Sequence, residues 1–434
     1  MKNPLKIVVI GGGSSYTPEL IRGFIERAHR LNIGEVALVD IESGKEKLQI
    51  IQAFADKAFK KNNLGTIVTA YLSPEEALQN ADYVITQIRV GGLSMRALDE
   101  SIPVKHGFIG QETTGIGGFM KGLRTIPVIV DLAHLMEKHC PNAWLINFAN
   151  PSGAVTEAVL KHTTIKTAGL CNVPINMQRE IASLLHLRKE ALQYDFSGLN
   201  HLCFVTDVRF EGNSLMNTVI EHSAELGTIV SNIETGAPDI EWLTLMGALP
   251  SPYLEYYFDT QAQLKKQKSA IESGEGSRAE QVMKTEKRLF DVYKNNTLDS
   301  NLDILEERGG SMYSEAAVSL IESLEGHNDA FHVLNVQNEN INKYLPANAV
   351  IETTCYVSKN TIQLMSSKAY PAIFSGLVQS VKAYETLMVE AALTHSLFTA
   401  KQAWLAHPLN QNHENSLALL SEMLIANENY ISLK

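Results

Sequence analysis

Short apolar runs alternate with amphipathic stretches along the first third of the chain. The apolar runs are typical of buried strands, and stretches with apolar positions three and four residues apart are typical of helices. Regular alternation of the two predicts a parallel sheet covered by helices on both faces. The predicted strands are residues 6–10, 35–40, 66–70, 83–88 and 144–147, and the predicted helices are residues 18–31, 45–60, 73–79 and 125–139.

The second half of the chain has a different pattern. Its predicted elements are a strand at 201–210 and helices at 280–293, 314–323 and over most of 371–406. The polar, glycine-containing stretch 265–277 is predicted to be a mobile loop. We therefore expect an α/β protein, with an N-terminal Rossmann-like doubly wound parallel sheet in residues 1–195. An α+β, largely helical catalytic domain is expected to follow in residues 196–434.

Composition and charge narrow the functional classes. The chain has 434 residues and a formal net charge of -11, with no long run of Lys and Arg. Neither nucleic acid nor an anionic membrane is therefore expected as a partner. Four cysteines without Cys-x-x-Cys spacing predict a reducing compartment, the cytoplasm. No stretch has the apolar length expected of a signal peptide or a membrane span.

A glycine-rich turn after the first predicted strand is the first candidate site. Glycines there let the backbone approach a pyrophosphate at the N-terminus of the next helix. Asp40, at the end of the second strand, can accept the ribose hydroxyls and would repel a 2′-phosphate, which favours NAD over NADP. The third glycine of the usual motif is replaced, so a turn in some other α/β protein is the alternative. The turn contains, in order, Gly11, Gly12, Gly13, Ser14 and Ser15.

Two other candidates are ambiguous from the residues alone. Cys171 and His201 could ligate a divalent metal, yet a single cysteine or histidine is more often part of the core. Tyr253 begins a tyrosine-rich segment and could act as a base if a cation lowers its pKa. An aromatic packing stripe is the simpler interpretation of that segment.

Several polar turns follow predicted strands, at the edge where an open α/β sheet places its ligand cleft. Arginines in such a cleft suit a phosphate or a carboxylate. Any one of these turns could instead be a surface loop, but together they indicate a substrate cleft. The residues concerned include Arg89, Arg96, Glu112 and Asn150.

Taken together, these segments resemble glycoside hydrolase family 4, the NAD- and manganese-dependent 6-phosphoglycosidases. The matching stretches keep a specific order from the first strand to past residue 310. They are GGGSSYTPEL (11–20), TQIRVGG (86–92), GQETTG (110–115), GLRTIPV (122–128), NFANPSG (147–153), GLCNVP (169–174), GLNH (198–201), PYLEYY (252–257), GSRAE (276–280) and RGG (308–310).

The resemblance implies roles for particular residues. Cys171 and His201 would hold Mn²⁺, and Tyr253 would be the proton acceptor. Asn172 stands where members that cleave α-linked substrates have the aspartate that donates a proton, and the members resembling 6-phospho-β-glucosidases also have asparagine there. An amide cannot donate a proton as an acid does, so water is the alternative donor. The residues implied to contact the substrate are Arg96, Glu112, Asn150 and Arg278.

The implied activity is hydrolysis of 6-phospho-β-glucosides, such as phosphorylated cellobiose or aryl glucosides. In this mechanism NAD oxidises C3 of the sugar, the C2 proton is removed, the aglycone is eliminated, water adds and the hydride returns. The alternatives are an NAD-dependent dehydrogenase of a hydroxy acid or sugar, a family member specific for α-linkages, and a non-enzymatic regulator that senses NAD or a sugar phosphate. We expect a homodimer or homotetramer, with the alanine-rich C-terminal helices as a candidate interface.

Overall fold

The first part of the chain alternates strands and helices, as its hydrophobic pattern predicts. The computed structural model describes residues 4–227, 239–274, 276–295, 312–366 and 368–434. The RGG stretch at 308–310 lies outside these ranges. The elements of the first part are β1 (Leu5–Ile10), α1 (Thr17–Glu26), β2 (Ile33–Val39), α2 (Lys45–Lys61), β3 (Ile67–Tyr71), α3 (Pro74–Ala77), β4 (Tyr83–Thr86), α4 (Gly92–Lys105), α5 (Gly115–His139), β5 (Trp144–Asn147), α6 (Ser152–His162), β6 (Lys166–Gly169) and α7 (Asn172–Leu184).

The six strands of this part are parallel and lie in the order β3-β2-β1-β4-β5-β6. That order is the one found in Rossmann folds. Successive residues of β1 enter opposite cores: Val8 packs in the cluster that contains Phe119 of α5, and Ile7 and Val9 pack with Leu20 of α1. Both faces of the sheet are thus covered, and the predicted doubly wound α/β fold is confirmed.

The second part of the chain adds short helices and antiparallel strands. No helix in the described ranges is both long enough and apolar enough to cross a bilayer. The elements of the second part are β7 (Leu192–Leu199), β8 (Leu202–Phe210), β9 (Asn213–Ser214), α8 (Met216–Glu221), α9 (Ile240–Met246), β10 (Leu249–Pro250), α10 (Glu255–Phe258), α11 (Thr260–Glu272), α12 (Arg278–Asn295), α13 (Tyr313–Leu324), β11 (Ala330–Gln337), β12 (Val350–Ser358), β13 (Thr361–Leu364), α14 (Ser375–Thr394), α15 (Leu397–Ala406) and α16 (His413–Ala426).

These strands extend the same sheet beyond β6. The order continues β6-β11-β12-β7-β8-β10, and every one of these pairs is antiparallel. The chain therefore returns late, with β11 and β12, to fill the space between β6 and the β7–β8 hairpin. The predicted division at residues 195 and 196 falls inside β7. The assignment of 1–195 to NAD binding and of 196–434 to substrate, metal and subunit contacts stays a prediction.

Several predicted boundaries were wrong. The stretch 265–277 was predicted to be a mobile loop, but residues up to 272 belong to helix α11, which buries Gln263 and Leu264 and leaves a polar outer face. The first predicted helix ends at Glu26 rather than at 31. The long helix α5 begins ten residues before the predicted start at 125, because its glycines obscured the helical pattern. At one of them, Gly117, a Cβ would lie 2.3 Å from Gln111 O.

Candidate functional site

The glycine turn lies between β1 and α1, over the end of β2. The N–H groups of Gly11 and Gly12 donate to Val39 O at 2.9 and 2.8 Å, and that of Gly13 donates to Asp40 Oδ2 at 2.9 Å. A Cβ on Gly13 would lie 2.7 Å from the same oxygen, so glycine allows this close approach. The structure thus brings the three glycines and Asp40, all predicted NAD contacts, to one place.

The two serines of the turn make local contacts. Ser14 Oγ accepts from the N–H of Tyr16 at 3.3 Å. The Ser15 hydroxyl donates to Glu286 Oε1 at 3.3 Å, and the Ser15 carbonyl accepts from Tyr293 Oη at 2.8 Å. Because both partners of Ser15 belong to α12, this serine fastens the turn to that helix. The roles of both serines as NAD contacts stay predictions.

Tyr253 connects the two candidate metal ligands. Cys171 immediately precedes α7, His201 lies in the turn between β7 and β8, and Tyr253 lies just before α10; all three are buried. The rings of His201 and Tyr253 stack, with 4.2 Å between centroids and 16° between planes. Burial, followed by the nearby Cys171, raises the pKa of Tyr253. His201 and Tyr253, which are distant in the sequence, are therefore in contact, and Cys171 lies near enough to act electrostatically on Tyr253.

Burial sets the protonation of these three groups. It raises the pKa of the Cys171 thiol, although the side chain of Asn200 acts in the opposite direction. It lowers the pKa of His201 to about 3. Burial also raises the pKa of Tyr253, although the positive charge of Arg96 acts to lower it. The site thus contains a neutral imidazole beside a thiol and a phenol, and both of these acids ionise more readily next to a cation.

This donor set suits a divalent metal. Thiolate sulfur and neutral imidazole nitrogen are ligands of borderline-soft cations, and such a cation supplies the positive charge that the thiol and phenol need. In the described part of the chain, no group of three or more His, Cys, Asp or Glu side chains is arranged to hold a metal ion. Two protein ligands would therefore leave the remaining coordination positions to substrate and water.

Glu112 is the centre of a buried group of cations beside this pair. It forms ion pairs with Arg89, with Arg96 Nη1 at 3.1 Å and with Lys121 Nζ at 2.8 Å. Burial alone would raise the pKa of Glu112, but these cations hold it well below its ordinary value. Burial and the charge of Arg89 lower the pKa of Lys121 to about 7. Lys121 and Glu112 both act electrostatically on His201, so this group borders the candidate metal site.

Arg96 is also connected to the start of α12. Glu100 Oε1 accepts from Arg96 Nε at 2.7 Å, and Glu100 Oε2 accepts from the N–H of Ala279 at 2.8 Å. Burial and the nearby charge of Arg96 lower the pKa of Arg278. The structure therefore brings Arg96, Glu112 and Arg278 together. The guanidinium groups of Arg96 and Arg278 are suited to bind one shared anion.

The other two predicted site residues lie at the ends of neighbouring strands. Asn150 follows β5, and its Oδ1 accepts from the N–H of Ser152 at the start of α6 at 3.3 Å. Asn172 is the first residue of α7, directly after Cys171. The structure does not by itself assign either residue a contact with substrate, and both roles stay predictions.

Sequence reasoning missed several residues of this site. Glu100 carried a usable signal, because it lies four residues after Arg96 on one helix face. Lys121 is a buried charge in an otherwise apolar, glycine-rich part of α5, which is itself unusual. Thr113, which lowers the pKa of Tyr253, lies in the GQETTG stretch, but nothing in that stretch indicated a partner for Tyr253.

A cavity of about 660 Å³ opens beside the two arginines. Its walls come from α4, α11, the start of α12 and the loop that precedes α5. Tyr256 lines it and places its ring 6.0 Å from that of Tyr253. Other lining residues are Glu100, Gln111, Gln263, Gln267 and Arg278.

Two family models match most of the chain. The model described as "Family 4 glycosyl hydrolase" matches residues 6–187, and that of the "Family 4 glycosyl hydrolase C-terminal domain" matches residues 196–410. This chain belongs to glycosyl hydrolase family 4. The resemblance inferred from the motifs is confirmed, and family 4 membership extends over both parts of the sheet.

Individual family 4 proteins are similar along their whole length. The chain is 41% identical to the "Probable 6-phospho-beta-glucosidase" of Bacillus subtilis, over 99% of this chain and 98% of that one. It is 28% identical to the "Maltose-6'-phosphate glucosidase" of the same organism, over 99% and 97%. A solved structure of the 6-phospho-beta glucosidase from Thermotoga maritima with manganese, NAD+ and glucose-6-phosphate superposes with a TM-score of 0.89 at 37% identity, covering 99% of this chain and 100% of that one.

Proposed function

We propose that this chain hydrolyses 6-phospho-β-glucosides to glucose 6-phosphate and an aglycone, with NAD and Mn²⁺ as cofactors. The observation that carries the proposal is the stacking of His201 on Tyr253, with Cys171 nearby and the Arg96–Arg278 pair beside them. The β-linkage is favoured because identity to the relative named for β-glucosides is 41%, against 28% for the relative named for a maltose phosphate.

Each cofactor has a place among the described residues. The glycine turn and Asp40 would hold NAD, and Cys171 with His201 would hold Mn²⁺. When bound, NAD supplies a hydride acceptor for C3 of the sugar, and Mn²⁺ supplies a Lewis acid whose charge favours the phenolate of Tyr253.

The chain's own groups then have distinct tasks. Arg96 and Arg278 bind the 6-phosphate, and Glu112 and Asn150 are proposed sugar contacts. Tyr253 accepts the proton from C2. The amide of Asn172 can hydrogen-bond to a leaving oxygen but cannot transfer a proton to it, so we propose water as the proton donor.

The cavity beside Tyr253 is the proposed site of the aglycone. Its volume of about 660 Å³ lies within the range of small-molecule pockets. Arg278 lines it, so the proposed phosphate site and the proposed aglycone site would lie side by side. Either a second sugar or an aryl group would occupy this space in the substrate.

We propose that the protein is located in the cytoplasm, which is a reducing compartment. We also propose that it forms a homodimer or homotetramer. All four cysteines are free and buried, which is consistent with reducing conditions. Phe398, Leu405 and Ile425 of the C-terminal helices are 72%, 50% and 70% exposed, and such side chains favour a subunit contact there. Light scattering of the purified protein would give the number of subunits.

The test is a panel of α- and β-linked 6-phosphoglycosides, each with and without NAD and Mn²⁺. We expect turnover of an aryl 6-phospho-β-glucoside only when NAD, Mn²⁺ and a thiol reductant are all present. Because the hydride returns, NADH should not accumulate; steady NADH formation would identify a dehydrogenase instead. Full turnover by protein shown to be free of nucleotide would rule out the proposed mechanism.

A further inference from the structure

Glu352 is a buried carboxyl beneath the turn that carries His201. It is the third residue of β12 and is 1% exposed. Its backbone is in register with Gly198 of β7 on one side and with Asn335 of β11 on the other. Glu352 is thus held between two neighbouring strands, level with the next-to-last residue of β7.

The Glu352 carboxyl accepts two amide hydrogen bonds. Its Oε1 accepts from Asn200 Nδ2 at 3.0 Å and from Asn335 Nδ2 at 3.1 Å. After burial, the nearby Glu352 also raises the pKa of the Cys203 thiol. Because Oε1 accepts both of these bonds, it selects the orientation in which Asn200 presents its NH₂ group.

Asn200 connects Glu352 to the candidate metal site. It directly precedes His201, and its side chain lies near enough to Cys171 to lower the pKa of that thiol. Its Oδ1 has no hydrogen-bond partner among the described residues. A reversed amide would lose its bond to Glu352, so the carboxyl favours one amide orientation.

We propose that Glu352 is a positioning residue of the metal site: its carboxyl fixes the Asn200 amide, and with it the turn that presents His201 to the metal. The inference rests on the proposed function only in assigning Cys171 and His201 as metal ligands. Outer groups that orient ligands in this way commonly change metal affinity by about 10–100-fold when removed.

A purely structural role is the competing explanation. Strand pairing does not require this side chain, and a carboxyl buried among apolar strands costs stability relative to an apolar residue of similar size. Burial raises the pKa of Glu352, so glutamine is a close mimic of its neutral form. A glutamine side chain keeps an oxygen where Asn200 and Asn335 donate.

The experiment measures metal binding on the full chain with NAD and glucose 6-phosphate present. Mn²⁺ affinity is determined by calorimetry, and Co²⁺ serves as a second probe because its thiolate charge-transfer band reports the sulfur ligand. We expect Glu352→Ala to weaken Mn²⁺ binding by about 10–100-fold and to shift the band. Glu352→Gln should stay close to wild type. Wild-type affinity and an unchanged band in Glu352→Ala would overturn the proposal.

A double-mutant cycle tests whether Glu352 acts through Asn200. Asn200→Ala should weaken Mn²⁺ binding as Glu352→Ala does, and the double variant should lose no more than Asn200→Ala alone. Additive losses would contradict the proposed path. If Glu352→Ala does not fold, the Asn200→Ala variant tests the proposal by itself. An unchanged Mn²⁺ affinity of Asn200→Ala would then overturn the proposal.

A matched control separates metal positioning from general loss of a buried carboxyl. Glu322 of α13 is 3% exposed and pairs with Arg27 and Arg30, outside the metal site. Glu322→Ala should lower the melting temperature while leaving Mn²⁺ affinity and the Co²⁺ band unchanged. Failure of the proposed function would appear as absent turnover in the wild-type chain, which is distinct from any outcome of this comparison.

Discussion

The Tyr253 ring stacks on the imidazole of His201, with the two centroids 4.2 Å apart. His201 has a φ of 63°, in the left-handed region that non-glycine residues rarely adopt. The tight turn between β7 and β8 imposes this conformation and directs the imidazole at Tyr253. A proposed proton acceptor and a proposed metal ligand are therefore held in direct contact by the fold.

Replacement of Tyr253 by phenylalanine tests the proton acceptor. Tyr253→Phe keeps the stacked ring but removes the hydroxyl, so we expect kcat to fall by about 10²–10⁴-fold, as for loss of a general base. NAD binding should be unchanged. The direct measurement is exchange of the C2 hydrogen of glucose 6-phosphate with solvent deuterium; exchange at the wild-type rate would show that another residue is the base.

Replacement of Cys171 by serine tests the thiolate ligand. A neutral serine hydroxyl lacks the negative charge of a thiolate, so Mn²⁺ affinity should fall by about 10–100-fold or more. Cys140 is also buried but lies between α5 and β5, and Cys140→Ser is the matched control. Equal Mn²⁺ affinities of the two serine variants, measured by calorimetry, would argue against Cys171 as a ligand.

Asp40 is expected to determine the choice between NAD and NADP. Its carboxylate is held at the glycine turn by the N–H of Gly13, where it would repel a 2′-phosphate. Asp40→Ala should weaken NAD binding and raise the relative affinity for NADP. Fluorescence titration with both nucleotides measures the ratio. The neighbouring exposed carboxylate provides the control, since Glu42→Ala should leave the ratio as it is in the wild type.

A buried ion pair between α4 and α5 is expected to be important for stability. Asp99 and Arg124 are each 1% exposed in their side chains, and Arg124 Nη2 lies 2.5 Å from Asp99 Oδ2. Asp99→Ala leaves a buried guanidinium without this partner and should cost about 3–5 kcal/mol in urea unfolding. Breaking the exposed Arg22–Glu26 pair by Glu26→Ala should cost less than about 1 kcal/mol. Equal losses of unfolding free energy in Asp99→Ala and Glu26→Ala would contradict the expected importance of the buried pair.

Buried histidines predict lower stability in mild acid. Burial lowers the pKa of His407 to about 3, and the N–H of Leu409 donates to its Nδ1 at 3.0 Å, a bond that an imidazolium cannot accept. The folded state keeps this histidine neutral while the unfolded chain takes up a proton below about pH 6.5. The folded state is therefore not destabilised by His407 above about pH 6.5, and it loses stability as the pH falls below that value.

The expected loss from His407 between pH 7 and pH 5 is about 2 kcal/mol. His407→Gln does not titrate, so its urea midpoint should fall less over this range than that of the wild type. His162 is exposed and serves as the control, because His162→Gln should follow the wild-type pH dependence. An identical pH dependence in His407→Gln would contradict the prediction.

The sequence contained enough information for the first five strands of the N-terminal sheet, because each is a short apolar run followed by a helix. The sixth strand, β6, was not predicted, since its sequence KTAG is not an apolar run. Residues such as Ile7, Val8 and Val9 are all fully buried, so local hydrophobicity reports their position directly. The strands β11 to β13 were not predicted. Their pairing partners lie far away in sequence, and polar residues such as Asn335 and Glu352 interrupt their apolar pattern.

The site was predictable only in part for the same reason. The glycine turn is a local feature, and its contact with Asp40 follows from strand order. By contrast, nothing in the spacing of Cys171, His201 and Tyr253 shows that the three lie near one another, and only the family resemblance connected them. The proposed role of Glu352 was not predicted, because it depends on the register between strands that are distant in the sequence.

The late return of β11 and β12 has a consequence for synthesis on the ribosome. These two strands lie between β6 and β7 in space but follow both in the chain. A nascent polypeptide that has emerged only as far as β8 already contains Cys171 and His201, yet the free edge of β6 has no partner. Completion of the catalytic centre therefore waits for translation through residue 358, and truncation before β12 should abolish it although both metal ligands are retained.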